Sequence, residues 1–190
     1  MVGELLRPGL LDGLRIAVVG EGAYGQAVRE AGDRLGADVR ELGGAEEGAV
    51  DVLVVDGADL LATGGLDGCL AGAWDATHGA ANQSFLPDEG EGEGKGEGEG
   101  RGRGGRIVYL APPPSAGEHA DAARAGLENL ARTLSIEWAR HGVTTVTIAL
   151  GDSTTLGEAA ALTAYLASPA GAYFSGCQLD LRGPAAPPSA

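Results

Sequence analysis

The sequence predicts an α/β protein built on a doubly wound parallel sheet of about six strands in a three-layer αβα arrangement. Short β-rich apolar runs alternate with stretches of helical periodicity along most of the 190 residues. These runs are apolar on both faces, as strands covered by helices on each side must be. The first run also ends in a glycine turn that opens directly into a helical pattern.

Leu14–Val19 (LRIAVV) reads as the first strand, and in the following AYGQAVREAGDRLG the residues Ala23, Ala27, Val28, Ala31 and Leu35 recur at helical spacing. Ala37–Leu42 reads as the second strand, Asp51–Val55 as the third and Arg106–Ala111 as the fourth. Val143–Leu150 and Cys177–Leu181 complete the sheet, and helices are predicted at about 68–85, 118–141 and 156–167. Only GGAEEGAV separates the second strand from the third, too short for a crossover helix. That spacing suits the spatial order 2-1-3-4-5-6, with the usual helix reduced to a loop.

One domain is expected over residues 1–183, with a tail at 184–190 of proline and small residues. Glycine alternates with charge in GEGEGKGEGEGRGRGG, which has no apolar face, so 88–105 is predicted to be a flexible insertion. Leu5, Leu6, Leu10 and Leu11 near the N-terminus are expected to pack weakly.

Thirteen basic and 27 acidic side chains give a net charge of −14, which argues against nucleic acid and anionic membrane as partners. No run approaches the length of a membrane span, and the N-terminus lacks a basic start followed by an apolar stretch, so a cytoplasmic protein is expected. Cys69 and Cys177 stand far apart without metal-ligand spacing, and free thiols are expected. Twelve of the 13 basic residues are arginine; Lys95, inside the glycine tract, is the one lysine.

The turn Gly20-Glu21-Gly22-Ala23-Tyr24-Gly25 is a G-x-G-x-x-G between strand and helix, the Rossmann-like signal for a dinucleotide. The first glycine permits the turn, the second admits a pyrophosphate to the backbone, and the third lets helix and strand pack. Glu41, about 20 residues on, is the candidate for the adenosine ribose, while its neighbour Arg40 suits a 2′-phosphate; NAD and NADP both stay open.

GRIVYLA (105–111), ARAGLENLARTLSIEWARHGVTTVTIALG (123–151) and YLASPAGAYFSGCQLDLRG (165–183) resemble the C-terminal half of the short-chain dehydrogenase/reductase family. DVLVVDGA (51–58) is similar to that family's Asn-Asn-Ala-Gly strand, and Ala81-Asn82 to the Val-Asn of its next helix. The resemblance implies a nicotinamide cofactor, with Gly20, Gly22, Tyr24 and Gly25 at the pyrophosphate, Arg124 at a ribose hydroxyl, and Gly151 and Thr155 beside the nicotinamide. It also implies a homo-oligomer or partner-subunit interface on the helix at 118–141, where Ile136 and Ala139 lie off the main apolar stripe.

The family's catalytic positions do not carry its residues. The serine position falls in Ala111-Pro112, the tyrosine on Ala120 and the lysine on Arg124. A Tyr-x-x-x-Lys pair cannot exist here, because no tyrosine lies four residues before Lys95. In the family the tyrosine exchanges a proton with the substrate oxygen, and alanine cannot. No catalytic residue is therefore assigned. His119 and Ser115 are the conceivable substitutes, and a helix cap or solvated residue explains each as well. The expected function is a dehydrogenase/reductase-like scaffold with weak or no oxidoreductase turnover. An active NAD(P)-dependent oxidoreductase using other proton donors, and a non-catalytic interaction subunit, are the alternatives.

Overall fold

The structure is a computed structural model and describes residues 6–40, 42, 49–86 and 103–183. Six strands, β1 (Arg15–Val19), β2 (Asp38–Arg40), β3 (Val52–Asp56), β4 (Gly105–Ala111), β5 (Val143–Ala149) and β6 (Cys177–Asp180), form one sheet in the order β2-β1-β3-β4-β5-β6. Every pairing is parallel, with Ile16 opposite Val52, Val54 opposite Val108 and Ile148 opposite Leu179. This is the predicted doubly wound sheet in the predicted order.

The helices α1 (Ala23–Arg34), α2 (Gly57–Ala80), α3 (Ala120–Glu137) and α4 (Leu156–Ala167) cover both faces, α1 packing with α4 and α2 with α3. Side chains of β3 alternate between the two layers. Leu53 and Val55 join Tyr109, Ala123 and Leu127 on one side, and Val52 and Val54 join Val28, Ile148 and Ala164 on the other. All five residues of β3 are buried, which is why its sequence shows no polar alternation.

Three elements differ from expectation. α2 begins at Gly57, well before residue 68, because the Asp56 side chain caps it and because its glycines blur the apolar periodicity. The helix breaks at Gly65, whose φ is 63°, and ends in a π-helical turn at Ala81–Phe85. α3 stops at Glu137 and passes through a 3₁₀ turn, Ala139–His141, before Gly142 reverses the chain with φ 75°. Leu11 is a core residue at 1% exposure, with its amide bonded to the Leu35 carbonyl; the expectation of weak packing is corrected there.

Glu41 and most of the glycine tract lie outside the described residues, as does the tail at 184–190. No helix among the described residues is long and apolar enough to cross a membrane. Both cysteines are free, and burial pushes the Cys69 thiol up to about 11.

Candidate functional site

From β1 the chain proceeds to β2 on one side and to β3 on the other, so the switch point of the sheet, where a binding crevice is expected in such folds, lies at the C-terminal ends of β1 and β3. The glycine turn leaves β1 here. Gly20 has φ 101°, and a Cβ on Gly22 would stand 2.8 Å from the Asp59 Cβ. A Cβ on Gly25 would stand 2.8 Å from the Gly20 carbonyl oxygen. All three positions require glycine.

What occupies the turn is a pair of carboxylates. Asp56, the fully buried last residue of β3, accepts the Gly25 amide through Oδ2 at 2.8 Å. Its Oδ1 accepts the amides of Ala58 at 3.2 Å and Asp59 at 3.1 Å. One carboxylate thus serves the N-termini of α1 and α2 together. Asp59 Oδ2 takes the Glu21 amide at 2.9 Å. Burial pushes the Asp56 carboxyl above the usual carboxylate range, although the amides of Asp59 and Gly25 pull it the other way. Arg29 is committed beneath the turn, donating to the carbonyls of Gly20 and Val18, both at 2.9 Å, and to Glu21 Oε1 at 2.8 Å. Among the described residues, the amides of Ala23 and Tyr24 meet no acceptor.

Tyr24 crosses the crevice, donating its hydroxyl to the Thr154 carbonyl at 3.2 Å. Burial first, and then the charges of Asp56 and Asp152, push this phenol above its ordinary value. A tyrosine working as a proton relay needs the opposite shift.

The far wall is the loop between β5 and α4. Gly151 lies against the chain leaving β6, where a Cβ would come within 2.5 Å of the Arg182 Cα. Thr154 Oγ1 accepts the Gly151 amide and donates to the Leu181 carbonyl, both at 2.8 Å, joining the two strand ends. Thr155 is the N-cap of α4 in a capping box. Its hydroxyl accepts the Glu158 amide at 3.2 Å and donates to Glu158 Oε2 at 2.8 Å, and that oxygen accepts the Thr155 amide at 2.9 Å. The hydroxyl is thereby fully engaged.

At the junction of β4 and α3, Ala111, Pro112 and Ala120 are buried and offer no hydroxyl. Arg124 is 7% exposed, and its Nη1 is the one buried side-chain nitrogen or oxygen among the described residues with no hydrogen-bond partner. The Ser115 amide donates to Asp152 Oδ1 at 2.9 Å, and His119 precedes α3 without a side-chain cap bond. Tyr109 is in the core, its hydroxyl 2.8 Å from that of Thr77, and burial drives its pKa far up. Tyr165 packs edge-on to Phe174 with ring centres 6.0 Å apart.

The predicted residues Gly20, Gly22, Tyr24 and Gly25 therefore share one side of the crevice, Gly151 and Thr155 the other, and Arg124 its α3 end; Glu41 is outside the described residues. Asp56 and Asp59 were missed. Their signal was present, since an acid ending a strand, two small residues and a second acid form a helix-start pattern. On β2, Arg40 grips Asp38 at 2.5 Å.

No family model matches the chain, and no curated protein matches it. Among solved structures it is similar to a citronellol catabolism dehydrogenase of Pseudomonas aeruginosa, at 23% identity and a TM-score of 0.69, covering 93% of this chain and 96% of the other. It is similar to a Serratia marcescens short-chain dehydrogenase/reductase variant, at 19% identity and a TM-score of 0.62, covering 90% and 96%. BdcA of E. coli in complex with NADPH aligns at 19% identity and a TM-score of 0.56, covering 90% and 93%. The chain has the short-chain dehydrogenase/reductase fold.

Proposed function

We propose that this chain is a short-chain dehydrogenase/reductase-like scaffold that performs no hydride-coupled proton transfer and holds a nicotinamide dinucleotide weakly. The observation that carries this reading is the Asp56 carboxylate on the Gly25 amide, in the place where this type of turn receives a pyrophosphate. The structural relative solved with NADPH supports the kind of ligand.

The residues fit that ligand only in part. The amides of Ala23 and Tyr24 are open to a phosphate, but Asp56 and Asp59 bring negative charge to the seat, while Glu21 is paired with Arg29. Two unit charges about 5 Å apart repel by roughly 3 kcal/mol at an effective dielectric near 20. A pyrophosphate meeting more than one carboxylate loses most of what two helix amides return. A dissociation constant above about 1 mM follows, where less than about 4 kcal/mol of binding energy remains.

Catalysis fails at a separate place. A carbonyl reduction needs a proton donor at the substrate oxygen, and Ala111, Pro112 and Ala120 supply none. Tyr24 lies at the crevice, and burial first, then the charges of Asp56 and Asp152, hold its proton on.

The test is turnover by the purified chain with NADH and NADPH over a panel of ketones and alcohols, followed by nucleotide absorbance. No rate above background is expected. Sustained turnover that titrates with protein would overturn the proposal.

A further inference from the structure

The end of the sheet opposite the glycine turn carries a cleft of about 590 Å³. It lies where β3, β4 and β5 begin, between the end of α3 and the chain that follows α4. Its charged residues are Asp51, Arg103 and Arg106. Both oxygens of Asp51 are taken by Arg15: Oδ1 accepts Nη2 at 2.7 Å, and Oδ2 accepts Nε at 2.8 Å and the Arg15 amide at 2.9 Å. That ion pair cancels itself. The other two arginines meet no carboxylate within salt-bridge distance among the described residues.

Arg106 is partly buried and donates through Nη1 to the carbonyl of Ala167, the last residue of α4, at 3.2 Å. A cation suits a helix C-terminus, which accounts for that one bond and leaves the rest of the guanidinium fork without an acceptor among the described residues. Arg103 is exposed and makes no hydrogen bond or ion pair among them. The hydroxyls of Thr144 and Ser175 on the cleft wall are likewise without a partner there. Donors are thus in excess, and two positive charges stand together in a chain whose net charge is −14.

This arrangement selects among anions. A dianion answers both guanidiniums, whereas a monocarboxylate answers one of them. A phosphate also has oxygens to spare for the hydroxyls. Leu14, Ala139 and Ala172 add apolar wall that bare phosphate would not cover. A long polyanion is disfavoured, because outside a screening length of about 10 Å it meets an acidic surface.

We infer that this cleft binds a small phosphomonoester, its phosphate held by Arg103 and Arg106 and its organic body against Leu14 and Ala139. The site is at the N-terminal ends of the strands and uses no residue of the glycine turn, so it stands or falls apart from the nucleotide reading.

The test is titration of the full isotope-labelled chain with phenyl phosphate at constant ionic strength, followed by amide chemical shifts. Saturable shifts at Gly104, Gly105, Gly142 and Thr144 are expected, with a dissociation constant of about 1 mM or below. Inorganic phosphate, which lacks the body, and benzoate, which lacks the second charge, are each expected to bind about threefold or more weakly. Arg103→Gln is expected to weaken phenyl phosphate about fivefold or more, and Arg106→Gln about tenfold. Arg103 is exposed and unpaired among the described residues, so its variant decides the matter if Arg106→Gln, which also loses the bond to α4, does not fold. No saturable shift at the cleft, shifts confined to residues 20–25, unchanged affinity in Arg103→Gln, or benzoate or inorganic phosphate binding as tightly as phenyl phosphate would each overturn the inference.

Discussion

The Asp56 carboxylate and the Gly25 amide meet at 2.8 Å at the point where β1 and β3 diverge, so an internal anion sits on the first turn of α1. The same side chain caps α2. Asp56 therefore fastens two helices to the sheet while filling the seat that the glycine turn shapes.

Asp56→Ala should be strongly destabilising. It strands the amides of Gly25, Ala58 and Asp59, two of them the cap of α2, and empties a buried position. A loss of about 2–4 kcal/mol is expected from the lost cap and unpaired donors, read as a lower urea midpoint. A change under about 0.5 kcal/mol would contradict the role given to Asp56.

The pH dependence of this residue has an unusual sign. Because burial raises the folded-state pKa of Asp56 above its unfolded value, the folded state takes up the proton first as pH falls. Wild-type stability relative to Asp56→Asn should rise as pH is lowered through the folded pKa towards the unfolded value. Asp180 behaves oppositely, its contribution being present above its unfolded pKa and lost as pH falls towards about 2. Urea denaturation of wild type, Asp56→Asn and Asp180→Asn at several pH values separates the two, and a wild-type advantage over Asp56→Asn that shrinks on acidification would refute the assignment.

Thr155→Ala should cost about 1 kcal/mol, the usual value of an N-cap, and leave nucleotide affinity unmoved. Its hydroxyl is used up within the capping box with Glu158. Thermal unfolding beside an NADPH titration of this variant checks both halves; a selective loss of nucleotide binding would show that the hydroxyl serves the ligand.

Gly151→Ala should destabilise by roughly 1–3 kcal/mol, as overpacking does. The new methyl would lie 2.5 Å from the Arg182 Cα, a backbone atom that cannot swing aside. An unchanged melting temperature would mean that the chain after β6 relaxes freely.

Much of this was legible in the sequence, for identifiable reasons. Apolar runs such as VLVV in β3 and the bare spacing between β2 and β3 predict the sheet and its order, because burial on both faces and crossover length are global constraints. The missing Tyr-x-x-x-Lys needs only a residue count. The start of α2 was hidden by the glycines at 64, 65, 68 and 72, which dilute its apolar pattern. The filling of the glycine turn was hidden because Asp56 and Asp59 stand more than 30 residues from Gly25 and Glu21 and meet them only in the fold. Thr155 as a cap was readable from the glutamate three residues on.

Whether the chain's own carboxylates occupy the seat of a pyrophosphate is read most directly by NADPH titration of wild type beside Asp56→Asn/Asp59→Asn, followed by nucleotide fluorescence. Asparagine removes both charges and keeps one acceptor oxygen at each position; at 56 that oxygen serves either the Gly25 amide or the amides of Ala58 and Asp59, so the folding of the double variant is checked by its urea midpoint. Wild type is expected to bind with a dissociation constant above about 1 mM, and the double variant about tenfold or more tighter. Micromolar binding by wild type, or a folded double variant that binds no better, would contradict that occupancy.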